Sequence, residues 1–195
     1  MMSQIVTLDD IALKEKKSII SGPFGSDISS KFFQESGVPV IRGNNLSNGF
    51  GKFKDSGFVF ISEEKAEELN AYAIEDDLIF TAAGTIGQVG IIEKNLSYSK
   101  YVISNKQIRV RLNPEKVNPM FAYYWFSSPW IVKDIISKNT GSTVPLINLS
   151  IIKSLEIRLP TKKLIQDKIA NVLSALDGKI ELNNRINAVL NRQLC

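Results

Sequence analysis

One glycine-rich segment could, from its composition, hold a phosphate group or a cofactor: residues 84–90, with the sequence GTIGQVG. Glycine lets the backbone adopt positive φ and come close to a ligand. The spacing differs from the G-x-G-x-x-G pattern, no Gly-Lys-Ser/Thr follows, and the next residues favour a strand over a helix. We therefore expect a tight hairpin, whose small residues let a backbone or a phosphate approach, and no cofactor site.

Side chains for metal binding or covalent catalysis are scarce. The chain has no histidine and one cysteine, Cys195. This composition argues against a zinc site, a Ser-His or Cys-His pair and an internal disulfide. Glu75, Asp76 and Asp77 could hold a metal, but we interpret this acidic run as a solvated turn before a strand. The sequence therefore predicts a protein that is not an enzyme, with no cofactor and no metal of its own.

Polar side chains in predicted loops have the chemistry of nucleic-acid contacts. Arg and Lys bind phosphates and guanine edges, and Asn and Gln can bond adenine through two hydrogen bonds. Ordinary loop polarity would produce a similar composition. The polar set includes Gln107 and Asn139, and the candidate DNA-binding residues are Arg42, Asn44, Asn45, Thr85, Gln88, Lys100, Asn105, Lys106, Lys138, Thr140, Ser142 and Thr143.

Charge is divided unequally along the 195 residues. Residues 1–100 carry 10 basic and 14 acidic side chains, a net charge of −4, whereas residues 101–195 carry 14 basic and 6 acidic ones, a net charge of +8. This division favours a basic face for an anionic partner such as nucleic acid, although ordinary surface charge would also produce it. No apolar run reaches the roughly 18 residues that span a bilayer, and the N-terminus lacks the pattern of a signal peptide.

The candidate residues need a scaffold of strands and short helices. The alternation of residues 107–112 predicts a half-buried strand, and Ser62 and Asn118-Pro119 predict helix starts. The aromatic residues 121–126 could stack on bases, but their helical spacing favours a core position. Strands are predicted at residues 38–41, 78–80, 89–92, 107–112 and 155–159, and a further helix at residues 129–138. The order lacks strict βαβ alternation, which predicts an α+β domain with a mixed sheet.

The last fifth of the chain is predicted to be one amphipathic helix over residues 161–195. From residue 164 to 194 it would be about 46 Å long, and its apolar stripe needs a second surface to cover it. Gly178 lies mid-helix at a cost of about 1 kcal/mol relative to alanine. The residues expected at the interface are Ile165, Ile169, Val172, Leu173, Leu176, Ile180, Asn183, Ile186 and Leu190; Asn183 could equally be exposed.

Several segments together resemble the specificity subunits of type I restriction-modification systems. They are SGPFGS at residues 21–26, VPVIRGN at 38–44, GSTVPLIN at 141–148 and LEIRLP at 155–160. DLIF at 77–80, GTIG at 84–87 and QDKIANVL at 166–173 fit the same pattern. The segments occur in the family's order over nearly the whole chain.

The resemblance implies a target-recognition domain at residues 1–160 and a conserved helix at 161–195, in a cytoplasmic bacterial or archaeal protein. Members usually have two such domains, whose helices form an antiparallel coiled coil that docks the modification subunits. This chain has one of each, so we expect two copies to pair and bind symmetric half-sites on double-stranded DNA. S-adenosylmethionine would be bound by the methyltransferase subunit, and cleavage would need a third, restriction subunit. The alternative is a non-catalytic adaptor that assembles through its C-terminal helix.

Overall fold

The computed structural model describes residues 3–47 and 51–193, with side chains described as far as residue 191. The strands are β1 Ser3–Thr7, β2 Ile19–Ser21, β3 Val38–Ile41, β4 Val59–Ile61, β5 Tyr72–Ala73, β6 Leu78–Thr81, β7 Val89–Ile91, β8 Tyr101–Ile103, β9 Gln107–Val110 and β10 Glu156–Pro160. The helices are α1 Leu8–Ile11, α2 Glu63–Leu69, α3 Pro119–Phe126, α4 Pro129–Ser137, α5 Leu149–Lys153 and α6 Lys163–Gln193. Single 3₁₀ turns occur at Ser30–Phe32 and Gly43–Asn45.

The α+β class is confirmed, and the described strands are divided among three sheets. One sheet has the order β2-β9-β6-β7 and is antiparallel throughout. The second has the order β4-β3-β8-β5 and is mixed, because β3 and β8 run parallel. The third is a two-stranded ribbon in which β1 pairs with β10, from Ser3 opposite Pro160 to Thr7 opposite Glu156.

The sheet β2-β9-β6-β7 separates two apolar cores, and this position buries both faces of β9. Ile108 and Val110 belong to one core, whereas Ile79, directly opposite Arg109, belongs to the other. Gln107 and Arg109 are 1% and 4% exposed. The prediction of a half-buried strand at 107–112 is therefore wrong, because a second layer covers the face that carries the polar residues. Burial lowers the pKa of the Arg109 guanidinium.

Two helix starts predicted from the sequence are confirmed. The Ser62 hydroxyl accepts a hydrogen bond from the Lys65 amide at 3.1 Å, and the Asn118 side chain accepts one from the Phe121 amide at 3.0 Å. The aromatic residues of α3 are core residues as expected, with Phe126 fully buried and its ring centroid 5.9 Å from that of Phe80. The short helix α5 was not predicted.

The acidic run before β6 is not simply a solvated turn. Asp77 is 1% exposed, and its two oxygens accept hydrogen bonds from Arg111 Nε and Nη2 at 2.9 and 2.8 Å. The Ile74 amide donates a third bond at 2.9 Å. A buried carboxylate is tolerated because a paired guanidinium and a backbone donor replace its hydration. Asp77 thus ties the start of β6 to the end of β9.

The N-terminal half of α6 is bound to the body of the protein by buried polar contacts. Gln166 accepts a hydrogen bond from the Asn118 amide at 2.8 Å and donates one to the Pro160 carbonyl at 3.0 Å. Three turns later, the Tyr124 hydroxyl donates to an Asp177 oxygen at 2.6 Å. Burial, followed by this hydrogen bond, raises the pKa of Tyr124. The helix is therefore anchored at both ends of its first four turns.

The apolar residues of α6 divide into a covered and an uncovered group. Ile169 and Leu173 are half-buried and pack on the core of the same chain, on the part of α6 that contacts α3 and β10, so their own body already covers part of these two predicted interface residues. Ile165 is half-buried and Asn183 is exposed. Five of the predicted interface residues are between 48 and 62% exposed and are here called the exposed stripe: Val172, Leu176, Ile180, Ile186 and Leu190. Leu164, Leu182 and Val189 of the same helix are exposed as well.

The exposed stripe runs along both parts of α6: Val172 and Leu176 lie within the turns that are anchored to the body, and Ile186 and Leu190 lie beyond them. Over its 31 residues the helix is about 46 Å long, and its second half projects away from the sheets. Leu194 and Cys195 lie outside the described residues. In residues 3–47 and 51–193 no helix has both the length and the apolar character required to cross a lipid bilayer.

Candidate nucleic-acid interface

A cleft of about 490 Å³ opens where three chain segments meet at one end of the two larger sheets. The segments are the turn after β3, the loop between β6 and β7 (residues 82–88), and the turn between β8 and β9 (residues 104–106). We call it the polar cleft. The residues that line it are Ile28, Phe33, Arg42, Gly43, Asn44, Thr81, Ala83, Gly84, Thr85, Gln88, Ser104, Asn105, Lys106 and Gln107.

The turn after β3 is held by Asn45, which was predicted to contact DNA. Asn45 is fully buried. Its side-chain oxygen accepts from the Arg42 amide at 3.0 Å, and its Nδ2 donates to the carbonyls of Lys54 and Ser56, both at 3.0 Å. All of its amide groups are used inside the protein, so the prediction is corrected: Asn45 is a structural residue. Its neighbours Arg42 and Asn44 are exposed at the cleft.

The loop between β6 and β7 is the tight hairpin expected from its glycines. Gly84 and Gly87 have φ of +87° and +93°, values that side-chain-bearing residues rarely adopt. Gln88 is 8% exposed; it accepts a hydrogen bond from Thr81 at 2.8 Å and donates to the Leu46 carbonyl at 3.0 Å. Gln88 therefore lines the cleft, but its amide is used to support the neighbouring turn.

The turn between β8 and β9 supplies both exposed and buried polar groups. Asn105 and Lys106 are exposed, whereas Ser104 and Gln107 are 8% and 1% exposed. The Ser104 hydroxyl donates to Gln107 Oε1, but Gln107 Nε2 has no hydrogen-bond partner in the described structure. An unpaired buried donor is uncommon and costly. Gln107 was in the polar set singled out from the sequence but was not among the candidate DNA-binding residues.

A fourth segment, residues 138–146, lies beside the hairpin. The Gly84 amide donates to the Pro145 carbonyl at 2.9 Å, and Ala83 bridges to Leu146. Asn139 Oδ1 shapes the loop by accepting from the Leu146 amide at 2.8 Å. The loop thus extends the surface of the polar cleft. Ser142 and Thr143 are exposed on it.

The structure brings together most of the predicted residues, with different roles. Thr140 bonds the Leu146 carbonyl at 3.1 Å, and Lys138 is paired with Asp134. Lys100 lies at the opposite end of β8, where it forms an ion pair with Glu63 at 2.7 Å. Its prediction is corrected, because this position is remote from the cleft. The candidates that line the cleft are Arg42, Asn44, Thr85, Gln88, Asn105 and Lys106.

The electrostatics of the polar cleft favour an anion with hydrogen-bonding groups. None of the lining residues is acidic, and neither Arg42 nor Lys106 forms an ion pair with any residue in 3–47 or 51–191. Two free cations therefore flank amide and hydroxyl groups. In the same described residues no three His, Cys, Asp or Glu side chains are grouped so that they could hold a metal ion.

A second groove, of about 500 Å³, connects the turn after β3 to α6. It is lined on one side by Asp177, Ile180, Glu181 and Asn184 of the helix, and on the other by residues 44–47 and 51–54. Asn44 lines both this groove and the polar cleft. The turn that presents Arg42 and Asn44 is therefore the nearest part of the cleft to the projecting helix.

Comparison with known proteins identifies relatives along the whole described chain. The family model of the type I restriction modification DNA specificity domain matches residues 3–192. The HindI specificity subunit of Haemophilus influenzae is 33% identical over 92 residues, which are 46% of this chain and 20% of that protein. The MjaIX specificity subunit of Methanocaldococcus jannaschii is 27% identical over 186 residues, 94% of this chain and 41% of that protein.

Solved structures share the fold. The crystal structure of the type I restriction-modification S subunit from M. genitalium superposes with a TM-score of 0.62 at 20% identity, covering 93% of this chain and 40% of that one. The present chain thus spans less than half the length of each of these relatives.

Proposed function

Because this chain belongs to the type I restriction-modification DNA specificity family, we propose that it recognises a DNA half-site and directs a separate methyltransferase subunit to it. The single observation that carries this proposal is the polar cleft, in which two unpaired cations and two exposed amide side chains lie at the end of the sheets without any carboxylate. The chain itself performs no chemistry in this proposal. It acts in the cytoplasm of a bacterial or archaeal cell.

The proposed contacts divide by chemistry. Arg42 and Lys106 bind phosphates, which fix the position of the duplex and supply salt-dependent affinity. Asn44 and Asn105 are the exposed amide groups available for base edges or for waters that bridge to them. Thr85, Ser142 and Thr143 lie on the flanking loops, where they would extend the contact along the groove.

The proposed assembly uses α6. The exposed stripe is the surface through which a second copy pairs and a modification subunit docks, since five large apolar side chains on one helix are costly in water. Two paired copies would match symmetric half-sites. S-adenosylmethionine would be bound by the methyltransferase, and the restriction subunit would join only through that complex. Because the groove beside α6 reaches the turn of Asn44, we expect DNA binding to be weak alone and tighter with the partner.

Matched lysines provide the test of the DNA-binding surface. Log affinity for duplex DNA should fall linearly with log salt, and Lys106→Ala should reduce the slope by about 0.9, as expected for one lost phosphate contact. Lys100→Ala is the control, since it removes the same charge at a site where Glu63 already neutralises it. The measurement is fluorescence anisotropy of a labelled duplex over a salt series. Equal slopes for both variants would place the phosphate contacts elsewhere.

The exposed stripe alone would also suit a non-catalytic adaptor that assembles through α6. The same titration separates the two functions. An adaptor with an incidental basic surface would lose no more DNA affinity from Lys106→Ala than from Lys100→Ala. A recognition subunit would also prefer some duplex sequences over others in the presence of the methyltransferase subunit, and an adaptor would not.

A further inference from the structure

Phe24 is the most exposed of the large hydrophobic side chains in the described residues, at 83%. It lies in the loop SGPFGS that follows β2, between Pro23 and Gly25. A phenylalanine left in water forgoes the stabilisation that burial would give it, and its loop is not part of either apolar core. A fully exposed aromatic ring of this kind therefore calls for a partner outside the folded chain.

The loop that carries Phe24 is firmly held. The Gly22 amide donates to the Gln107 carbonyl at 2.8 Å, and a Cβ on Gly22 would lie 1.9 Å from the Ser104 carbonyl oxygen. Pro23 fixes its own φ, and the Asp27 amide donates to the Phe24 carbonyl at 2.9 Å. The exposed ring is thus presented by a backbone with little freedom, so that ordering it on binding costs little entropy.

The same contacts place Phe24 at the rim of the polar cleft. Its loop packs directly on Ser104 and Gln107, which line the cleft, and a Cβ on Gly25 would lie 3.1 Å from Asn105 Nδ2. Lys106, one of the two unpaired cations, is the next residue along that turn. An apolar ring beside free cations and amide groups is the combination with which proteins contact bases as well as phosphates.

We propose that Phe24 is a DNA-contacting residue whose ring stacks on a base of the bound duplex, at a step that opens toward the polar cleft. This inference rests on the proposed function and adds an apolar, charge-independent contact to it. The ring supplies affinity for base surface, while Arg42 and Lys106 hold the backbone on either side. A stacked ring also favours base steps that unstack easily, so Phe24 contributes to sequence preference through the deformability of the duplex.

The test uses the full chain and duplexes that the wild-type protein has selected from a randomised pool. Phe24→Ala should weaken binding by about tenfold without changing the salt slope, because the lost contact involves no phosphate. Phe24→Trp, which keeps a stacking ring, should retain most of the affinity. Trp130→Ala is the matched control, since Trp130 is 64% exposed on α4 and does not line the cleft. Circular dichroism melting confirms that each variant is folded.

A probe of base stacking completes the test. With 2-aminopurine placed at successive positions of the selected duplex, the wild-type protein should change the fluorescence at one step, and Phe24→Ala should abolish that change. The inference would be overturned if the Phe24→Ala variant bound the selected duplex within twofold of the wild-type affinity. If that variant also bound the methyltransferase subunit more weakly, the ring would be assigned to a protein contact. In both cases Lys106→Ala would still weaken binding, whereas failure of the proposed function would leave no selected duplex at all.

Discussion

At the scale of single residues, the turn after β3 holds two asparagines with opposite environments. Asn44 is exposed at the polar cleft and makes one long hydrogen bond, to the Gly57 carbonyl at 3.4 Å. Asn45 is fully buried and bonds three backbone groups. The same side chain is therefore exposed for the proposed DNA contact at one position and buried to hold the fold at the next, and the two roles can be separated by measurement.

Asn45→Ala should lower the free energy of unfolding by about 1–3 kcal/mol, because it empties a fully buried position and removes the hydrogen bonds to one backbone amide and two backbone carbonyls. Asn44→Ala, the control, should change stability by less than about 0.5 kcal/mol while weakening DNA binding. Urea denaturation followed by circular dichroism measures both. A stable Asn45→Ala protein with impaired DNA binding would restore Asn45 to the interface and contradict the structural role.

The identity of the polar residues was predictable from sequence, and their burial was not. Arg42, Asn105 and Lys106 were expected in loops and are exposed there. Asn45 was grouped with them because its partners, the carbonyls of Lys54 and Ser56, are about ten residues distant and leave no local signal. The ion pair of Lys100 was not predicted for a related reason, since its partner Glu63 is distant in sequence and only the fold brings the two side chains together.

At the scale of elements, the sequence predicted features that depend on neighbouring residues, such as helix starts. It did not predict how the sheets pack against each other. Ser62 and Asn118 start helices through bonds to residues three positions later, and such bonds depend only on nearby sequence. The alternation in β9 did mark a strand, but the second sheet that buries Arg109 is formed by distant segments. The division of the strands into three sheets also depends on pairings between distant parts of the chain. The two strands of the ribbon, β1 and β10, are about 150 residues apart in sequence.

Two glycines provide a prediction about elements. Gly178, in α6, has no atom within 4 Å of the position a Cβ would take, so Gly178→Ala should stabilise the protein by about 0.5–1 kcal/mol. Gly87→Ala is the contrasting variant, because Gly87 has φ of +93° and a Cβ would lie 3.0 Å from Ile136. It should destabilise by about 1–3 kcal/mol. Thermal melting of both proteins checks the signs, and a destabilised Gly178→Ala protein would show that the helix bends there.

At the scale of the whole molecule, the N-terminal half of α6 packs on the body of the protein, whereas its C-terminal half is exposed. Gln166 and Asp177 anchor the first turns, and the exposed stripe begins on a neighbouring side of the same helix. Sequence periodicity located the apolar residues of α6, but it could not separate those that cover the core from those that remain exposed. The separation depends on α3, which contacts α6 and lies more than 30 residues away in the chain.

A pair of double variants tests the assembly. Leu176→Ser with Ile180→Ser should convert a dimer to a monomer, since both side chains lie on the exposed stripe at 54 and 55% exposure. Leu182→Ser with Val189→Ser is the comparison pair, because these residues are equally exposed at 57 and 55% but lie at least about 120° around the helix from Leu176 and Ile180. Sedimentation equilibrium over a concentration series measures the association. An equal loss from both pairs would mean that the contact is not confined to the stripe.

The ribbon of β1 and β10 brings together the two ends of the segment 8–155, which bears on how this segment could be exchanged in evolution. Paired strands lie about 5 Å apart, so the chain enters the body at Leu8 and leaves it at Leu155 through adjacent positions. The Leu8 amide donates a hydrogen bond to the Leu155 carbonyl at 2.8 Å. A segment whose ends are neighbours can be exchanged as one piece without displacing what flanks it. If the chain functions as proposed, recombination within residues 8–155 that keeps Asn118 and Tyr124 should alter the target preference and leave assembly intact, so that new specificities could arise in a single genetic step.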